Sequence, residues 1–171
     1  MYRSIITAFA ALLAAACVAP TGPGEPQRPE PPADRDAIAI TRLRAEPYSL
    51  EYYSGMKDST RLTVRTQAEL EQAWAAIYRG HGYVPPLPQA NFAREVMLVA
   101  ALGERWSGGH SIFVDSAYQR TGYLEVVIRK EFPGKRCGAS GAFTQPVDVA
   151  RIPVTDQPLR FRERTRAHDC G

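Results

Sequence analysis

The sequence lacks an apolar run long enough to cross a membrane. Its uncharged N-terminal stretch, Ile5 to Ala16, holds only twelve residues, whereas a spanning helix needs about 20. An excess of charge is also missing: the formal net charge is +3, and it falls to +2 without Arg3, the only charged residue among positions 1–16. So small an excess argues against nucleic acid as a partner.

The first seventeen residues instead have the pattern of an export signal that ends at a cysteine. Arg3 supplies the positive start and residues 5–16 the short apolar region, so we expect residues 1–16 to be a signal peptide. The junction Ala14-Ala15-Ala16-Cys17 resembles the lipobox of bacterial lipoproteins, with alanine at position 14 where leucine is usual. This resemblance implies a lipid on the thiol of Cys17. Ordinary signal-peptidase cleavage before the same cysteine is the alternative.

Proline is concentrated in the segment that follows. Six of the fourteen prolines lie between positions 20 and 32, which predicts an extended tether over residues 17–36 and one globular domain over residues 37–171. Val18, rather than aspartate, follows the lipid site. By the sorting rule of many Gram-negative lipoproteins this indicates the outer membrane, with the domain in the periplasm or at the surface.

Period-two alternation dominates the domain. It predicts strands at 37–40, 48–52, 62–64, 96–102, 111–114, 123–129, 147–152 and 159–166. The run 96–102 is apolar throughout, as in a strand buried on both faces. One amphipathic helix is expected at about 66–79, with Thr66 and Glu69 as a capping box and Gly80 as its stop. The fold class is therefore α+β, a single domain dominated by antiparallel sheet with one main helix.

Catalytic and cofactor motifs are missing. Gly138 to Ala142 resembles G-x-S-x-G but has alanine at its last position and no strand–helix setting. The sequence contains no phosphate-binding loop and no metal-ligand spacing. The three histidines, His81, His110 and His168, are expected at the surface rather than as catalytic bases. We therefore expect no enzyme activity, no cofactor and no metal.

Residues 94–153 resemble the PrcB C-terminal domain family. The resemblance is carried by the apolar strand 96–102, the loop Gly103-Glu104-Arg105-Trp106-Ser107-Gly108-Gly109-His110-Ser111, and the turns Pro133-Gly134, Thr144-Gln145-Pro146 and Arg151-Ile152-Pro153. The family is named for a lipoprotein subunit that stabilises a surface subtilisin-like protease complex. The resemblance thus implies a non-catalytic accessory protein of the cell envelope, while leaving its partner open.

Two cysteines remain once Cys17 carries lipid. An even pair in an exported protein predicts a disulfide between Cys137 and Cys170. The alternative is a metal site in which His110 and His168 join the two thiolates, although the spacing is not that of known zinc sites.

Two surface features are candidates for partner contact. The predicted last strand places Arg160, Arg162, Arg164 and Arg166 on one face, which is either a solvated edge or a contact for an anionic partner such as lipopolysaccharide, a cell-wall polymer or an acidic protein. The loop Trp106-Ser107-Gly108-Gly109 offers an aromatic side chain that either anchors an interface or caps the core.

Two functions follow from these features. The first is a lipid-anchored accessory subunit, attached to the membrane through its N-terminal lipid, that binds and stabilises a protease or another envelope protein. The second is a secreted or periplasmic protease inhibitor that inserts the glycine-rich loop 103–111 into a cleft.

Overall fold

The computed structural model describes residues 36–43 and 52–169. The signal peptide, Cys17, nearly all of the tether and Cys170 lie outside the described residues. The elements in chain order are β1 (Ala37–Ile38), β2 (Thr41–Arg42), β3 (Thr60–Val64), α1 (Gln67–Ile77), β4 (Glu95–Ala101), β5 (Ser111–Arg120), β6 (Tyr123–Pro133), β7 (Val147–Pro153) and β8 (Leu159–His168). Of the strand expected at 48–52, only Tyr52 is described, and it lies in a turn.

The strands form two four-stranded sheets. Sheet A has the order β1-β5-β6-β8 and sheet B the order β2-β7-β4-β3. All pairings are antiparallel except β6 with β8, which is parallel. The α+β class and the mainly antiparallel sheets are thus confirmed. The parallel edge was not foreseen, because side-chain alternation is the same in a parallel and an antiparallel edge strand.

The helix forms for the reasons that its sequence indicates. Thr66 caps it, with the Glu69 N–H donating to Thr66 Oγ1 at 3.2 Å and the Thr66 N–H donating to Glu69 Oε2 at 3.1 Å. Its apolar face is buried, including Leu70 and Trp74. The chain leaves the helix through Gly80, whose φ of +83° suits glycine.

Sheet B is the middle layer of the fold. Met97 and Val99 of β4 pack with the helix in one core cluster, while Val96 and Leu98 pack against sheet A in a second. This confirms the prediction that the apolar run is a strand buried on both faces. Burial against two layers explains why the run shows no polar alternation.

Strand β5 is longer than expected because a bulge interrupts its pattern. The register with β6 shifts between Val114 and Ser116, so Asp115 is an extra residue. Inward residues are Ile112 and Val114 before the bulge and Ala117 after it. The alternation changes phase at the bulge, which is why the sequence pattern predicts a strand that stops at residue 114.

Candidate contact surface

The loop between β4 and β5 begins at a glycine that its neighbours require. Gly103 has a φ of +79°, and a Cβ there would lie 2.8 Å from the Ser59 nitrogen and 2.9 Å from the Lys57 carbonyl oxygen. The chain therefore turns directly against the segment that leads into β3. Any other residue would be strained in both conformation and contact.

Beyond Gly103, main-chain hydrogen bonds tie the loop to the segment between β6 and β7. Arg105 and Thr144 exchange both main-chain bonds, at 2.8 and 3.0 Å, and the Gly108 N–H donates to the Ser140 carbonyl at 3.0 Å. The Thr144 hydroxyl donates to the Ser107 carbonyl at 3.0 Å. These bonds hold the loop backbone in one arrangement.

The fixed loop presents its tryptophan to solvent. Trp106 is 84% exposed, and its ring centroid lies 5.3 Å from that of Phe143, which is 50% exposed. Trp74, by contrast, is 4% exposed and donates its indole N–H to the Pro85 carbonyl at 3.0 Å. Of the two interpretations of Trp106, the structure excludes core capping and leaves the exposed aromatic anchor.

Sequence reasoning missed the aromatic neighbour of Trp106. Phe143 follows it by 37 positions. Nothing in the local pattern around Phe143 connects it with the loop. The contact arises only because the segment between β6 and β7 folds over this end of the domain.

The structure brings Ser107 and His110 together, a pairing of a hydroxyl with an imidazole that no motif in the sequence indicated. Ser107 Oγ is 3.2 Å from His110 Nε2. Burial lowers the pKa of His110, and the nearby Arg105 and His168 side chains lower it further.

The remaining parts of a hydrolytic site are not present among the described residues. His110 Nδ1 is buried and has no hydrogen-bond partner there, so no carboxylate orients the ring. The Gly108 N–H, one candidate oxyanion donor, already donates to the Ser140 carbonyl. What the pair does in this geometry is tie the loop to the start of β5.

The arginine stripe lies on the outer face of sheet A. Leu159 and Phe161 pack into the core between the sheets, so the alternating arginines of β8 point outward. Arg160 stacks over the Tyr123 ring at 4.4 Å, and Arg162 Nε donates to Glu125 Oε1 at 2.6 Å.

Arg164 and Arg166 differ from these two. Neither has a carboxylate within 4.0 Å in the part of the chain that the structure describes. Arg164 pairs in register with Arg129 of β6, a cation whose charge is balanced by Asp115 and Glu131. The stripe therefore has a half paired within the sheet and a half available to a partner.

The tryptophan loop and the available half of the stripe lie at one end of the domain. Ser111, Glu131 and Arg166 are neighbours across β5, β6 and β8. A Cβ on Gly109 would lie 3.2 Å from Pro133, the residue that pairs with His168. The sequence offered these two surfaces as separate candidates, and the fold places both at this end of the domain.

Cys137 lies in the same region. It is half-buried and disulfide-bonded, and its Sγ is 3.3 Å from the carbonyl oxygen of His168. Its expected partner, Cys170, lies outside the described residues, so the pairing stays a prediction.

Residues 96–153 match a family model. The model is described as PrcB C-terminal. This match confirms the resemblance and spans about a third of the chain, from the central strand β4 to the end of β7. The matched segment therefore contains the Trp106 loop, whereas β8 and its arginines follow it. No curated protein and no solved structure matches the chain.

Within residues 36–43 and 52–169, no three His, Cys, Asp or Glu side chains are grouped so as to hold a metal ion. The one helix of these residues, α1, is too short to cross a membrane.

Proposed function

We propose that this protein is a non-catalytic accessory subunit that binds and stabilises an envelope protein complex, of which a protease complex is the leading candidate. The observation that supports this proposal most directly is the exposure of Trp106. Its side chain is 84% exposed, and it lies on a loop whose main chain is held by hydrogen bonds. The PrcB C-terminal match supports an accessory role.

The physical argument is preorganisation. A buried tryptophan anchor typically contributes 2 kcal/mol or more to a protein interface, and its contribution is larger when little freedom is lost on binding. Here the backbone bonds of Arg105 and Gly108 have ordered the loop before any partner arrives. The Phe143 ring at 5.3 Å restricts the indole further and enlarges the apolar contact.

The loop backbone favours the stabilising role over the inhibitor. An inhibitory loop that occupies a protease cleft pairs its main chain with the cleft, as an added strand does. In this loop the main-chain groups of Arg105, Ser107 and Gly108 are bonded to the segment between β6 and β7. The loop therefore offers a partner its side chains rather than its backbone.

We propose further that the domain is held at the cell envelope by lipid on Cys17, most simply at the outer membrane. The junction at Cys17 supports this proposal. So does the position of Ala37, which begins the first strand immediately after the proline-rich tether of residues 17–36. Twenty residues in a polyproline II conformation would reach about 60 Å.

The deciding experiment is a crosslinked pulldown of the native protein, compared with Trp106→Ala and with Val154→Ala as a matched control. Val154 is also exposed, at 47%, and follows the end of β7 that lies away from the loop. We expect Trp106→Ala to weaken capture of the partner about 30-fold at unchanged melting temperature, and Val154→Ala to have no effect.

Equal capture by wild type and Trp106→Ala would contradict the proposal. If the captured partner is a protease, retained activity in the complex supports a stabilising subunit. Activity that falls in proportion to added protein would instead identify an inhibitor.

A further inference from the structure

The last strand carries a second recognition surface, at its open edge. β8 is ten residues long and ends the order of sheet A, whereas β1 and β2, which end the opposite sides of the two sheets, are two residues each. A long strand with one unpaired edge is a template for another extended chain. Natural proteins usually shorten, bend or cover such an edge, and β8 is neither short nor bulged.

The hydrogen bonds at both ends of β8 show which main-chain groups face outward. The Leu124 N–H donates to the Pro158 carbonyl at 3.0 Å, and the Gly134 N–H donates to the His168 carbonyl at 2.8 Å. The even-numbered residues of β8 therefore point their main-chain N–H and C=O groups toward β6. Neighbouring residues of a strand point these groups to opposite sides.

The odd-numbered residues of β8 then direct their N–H and C=O groups to the open edge. None of these groups accepts or donates a hydrogen bond within the described ranges. They belong to Leu159, Phe161, Glu163, Thr165 and Ala167. The edge is thus a continuous row of unused donors and acceptors.

The side chains beside this row select the sign of charge of a partner. Arg164 and Arg166 have no carboxylate within ion-pair distance among the described residues, and both are exposed. On an antiparallel incoming strand, residues opposite the even-numbered arginines occupy non-hydrogen-bonded positions, where cross-strand side chains are closest. Carboxylates at alternate positions would meet these guanidinium groups.

The same geometry disfavours a second copy of this chain. Two β8 strands paired antiparallel about a two-fold axis would place arginine opposite arginine at those close positions. Like charges directly opposite one another destabilise a strand pair. The edge therefore favours pairing with an acidic strand and disfavours pairing with the β8 strand of a second copy.

We propose that the open edge of β8 binds an extended segment of a partner protein by strand addition, and that this segment carries carboxylates at alternate positions. The inference deepens the proposed function, since it names the chemistry of the partner, but it concerns an edge separate from Trp106. Main-chain bonds would supply affinity, and Arg164 and Arg166 would supply specificity and register.

The test uses the purified full-length protein and short synthetic peptides. One peptide alternates glutamate with threonine, a second has the same composition with its glutamates contiguous, and a third alternates lysine with threonine. We expect the first to bind most tightly, with affinity that falls as salt rises. Hydrogen exchange should slow at the amides of the odd-numbered residues of β8.

Two variants distinguish the contribution of the main-chain hydrogen bonds to peptide affinity from the contribution of charge. Thr165→Pro removes an N–H that faces the open edge and no bond within the sheet, so we expect the melting temperature to stay and affinity to fall about tenfold, whereas Thr165→Ala binds like wild type. A double Arg164→Glu, Arg166→Glu variant should lose the glutamate peptide and gain the lysine peptide.

Three results would overturn the proposal. They are equal affinity for the alternating and contiguous glutamate peptides, wild-type affinity in folded Thr165→Pro, and binding of anionic phospholipid vesicles through Arg164 and Arg166 without peptide binding. Because the peptides do not involve Trp106, equal capture by wild type and Trp106→Ala, which contradicts the proposed function, is distinguishable from failure of peptide binding, which contradicts this inference.

Discussion

Arg61 of β3 donates a hydrogen bond to Glu163 of β8 at 2.6 Å and thereby joins the edge strands of the two sheets. The Arg61 side chain is only 12% exposed, and its guanidinium also donates to the Ala101 carbonyl at 2.6 Å. Lys130 of β6 reaches the second carboxylate oxygen of Glu163 at 2.5 Å. One carboxylate thus closes this side of the core between the sheets.

Replacing Arg61 should therefore destabilise the domain more than neutralising its partner. We expect Arg61→Met to lower the free energy of unfolding by about 2–3 kcal/mol, because it leaves the Ala101 carbonyl and the Glu163 carboxylate short of a donor. Glu163→Gln should cost about 0.5–1 kcal/mol, since this side chain is 40% exposed. Urea unfolding measures both, with Arg164→Met as the unpaired control. Equal losses in Arg61→Met and Arg164→Met would refute this role.

The raised pKa of Asp148 predicts how the stability of the domain changes with pH. Its carboxylate lies between the sheets, where burial raises its pKa even though the Val114 N–H and Arg42 donate to it at 2.7 and 3.3 Å. A folded pKa above the unfolded value means that the folded state binds this proton more tightly. The contribution of Asp148 to stability is therefore fully present below the unfolded pKa, about 3.9, and is lost as the pH rises through the folded pKa.

The measurement compares wild type with Asp148→Asn, whose amide oxygen can still accept from Val114. The difference in unfolding free energy, wild type minus variant, should decrease from about pH 3 to pH 7. A difference that increases with pH would show that the ion pair with Arg42 outweighs the loss of hydration.

The disulfide prediction concerns the end of β8. A bond from Cys137 to Cys170 closes a loop of 34 residues, counting both ends, and would contribute about 3–4 kcal/mol if unstrained. Cys137→Ser and Cys170→Ser should each lower the melting temperature, and the double variant should lower it little further. Additive losses, or a free thiol on Cys137 or Cys170 in the denatured wild type, would rule out the pairing.

The anchor prediction concerns Cys17. Wild type should incorporate labelled palmitate and fractionate with membranes, whereas Cys17→Ala should be released or remain an unprocessed precursor. Recovery of wild type as a soluble protein whose N-terminal Cys17 is unmodified would establish ordinary signal-peptidase cleavage instead.

The hydrogen-bonded pair of Ser107 and His110 yields a negative prediction. Because no carboxylate orients the histidine among the described residues, hydrolytic assays of wild type, Ser107→Ala and His110→Ala should all remain at background. A turnover that disappears in folded His110→Ala, while partner capture persists, would make the protein an enzyme.

Sequence alone was sufficient where the determinants are local. The capping box of Thr66 and Glu69 and the stop at Gly80 are short-range signals, and the helix begins and ends close to where they predict. The uninterrupted apolar run 96–102 indicated a strand covered on both faces, and β4 is that strand. Alternation in β8 likewise predicted which residues point inward.

What the sequence by itself determined was thus the helix, the strand buried on both faces and the inward faces of the longer strands, since period and capping depend on residues a few positions apart. The single strand expected at 37–40 is instead two short strands, β1 and β2, in different sheets. Tertiary structure alone decided that β8 pairs parallel with β6, that Trp106 meets Phe143 and that Arg61 meets Glu163. Each of these pairings joins residues more than 30 positions apart. Such contacts depend on how whole layers stack and where a bulge bends a strand. The alternation of side chains along one strand does not specify which strand pairs with it.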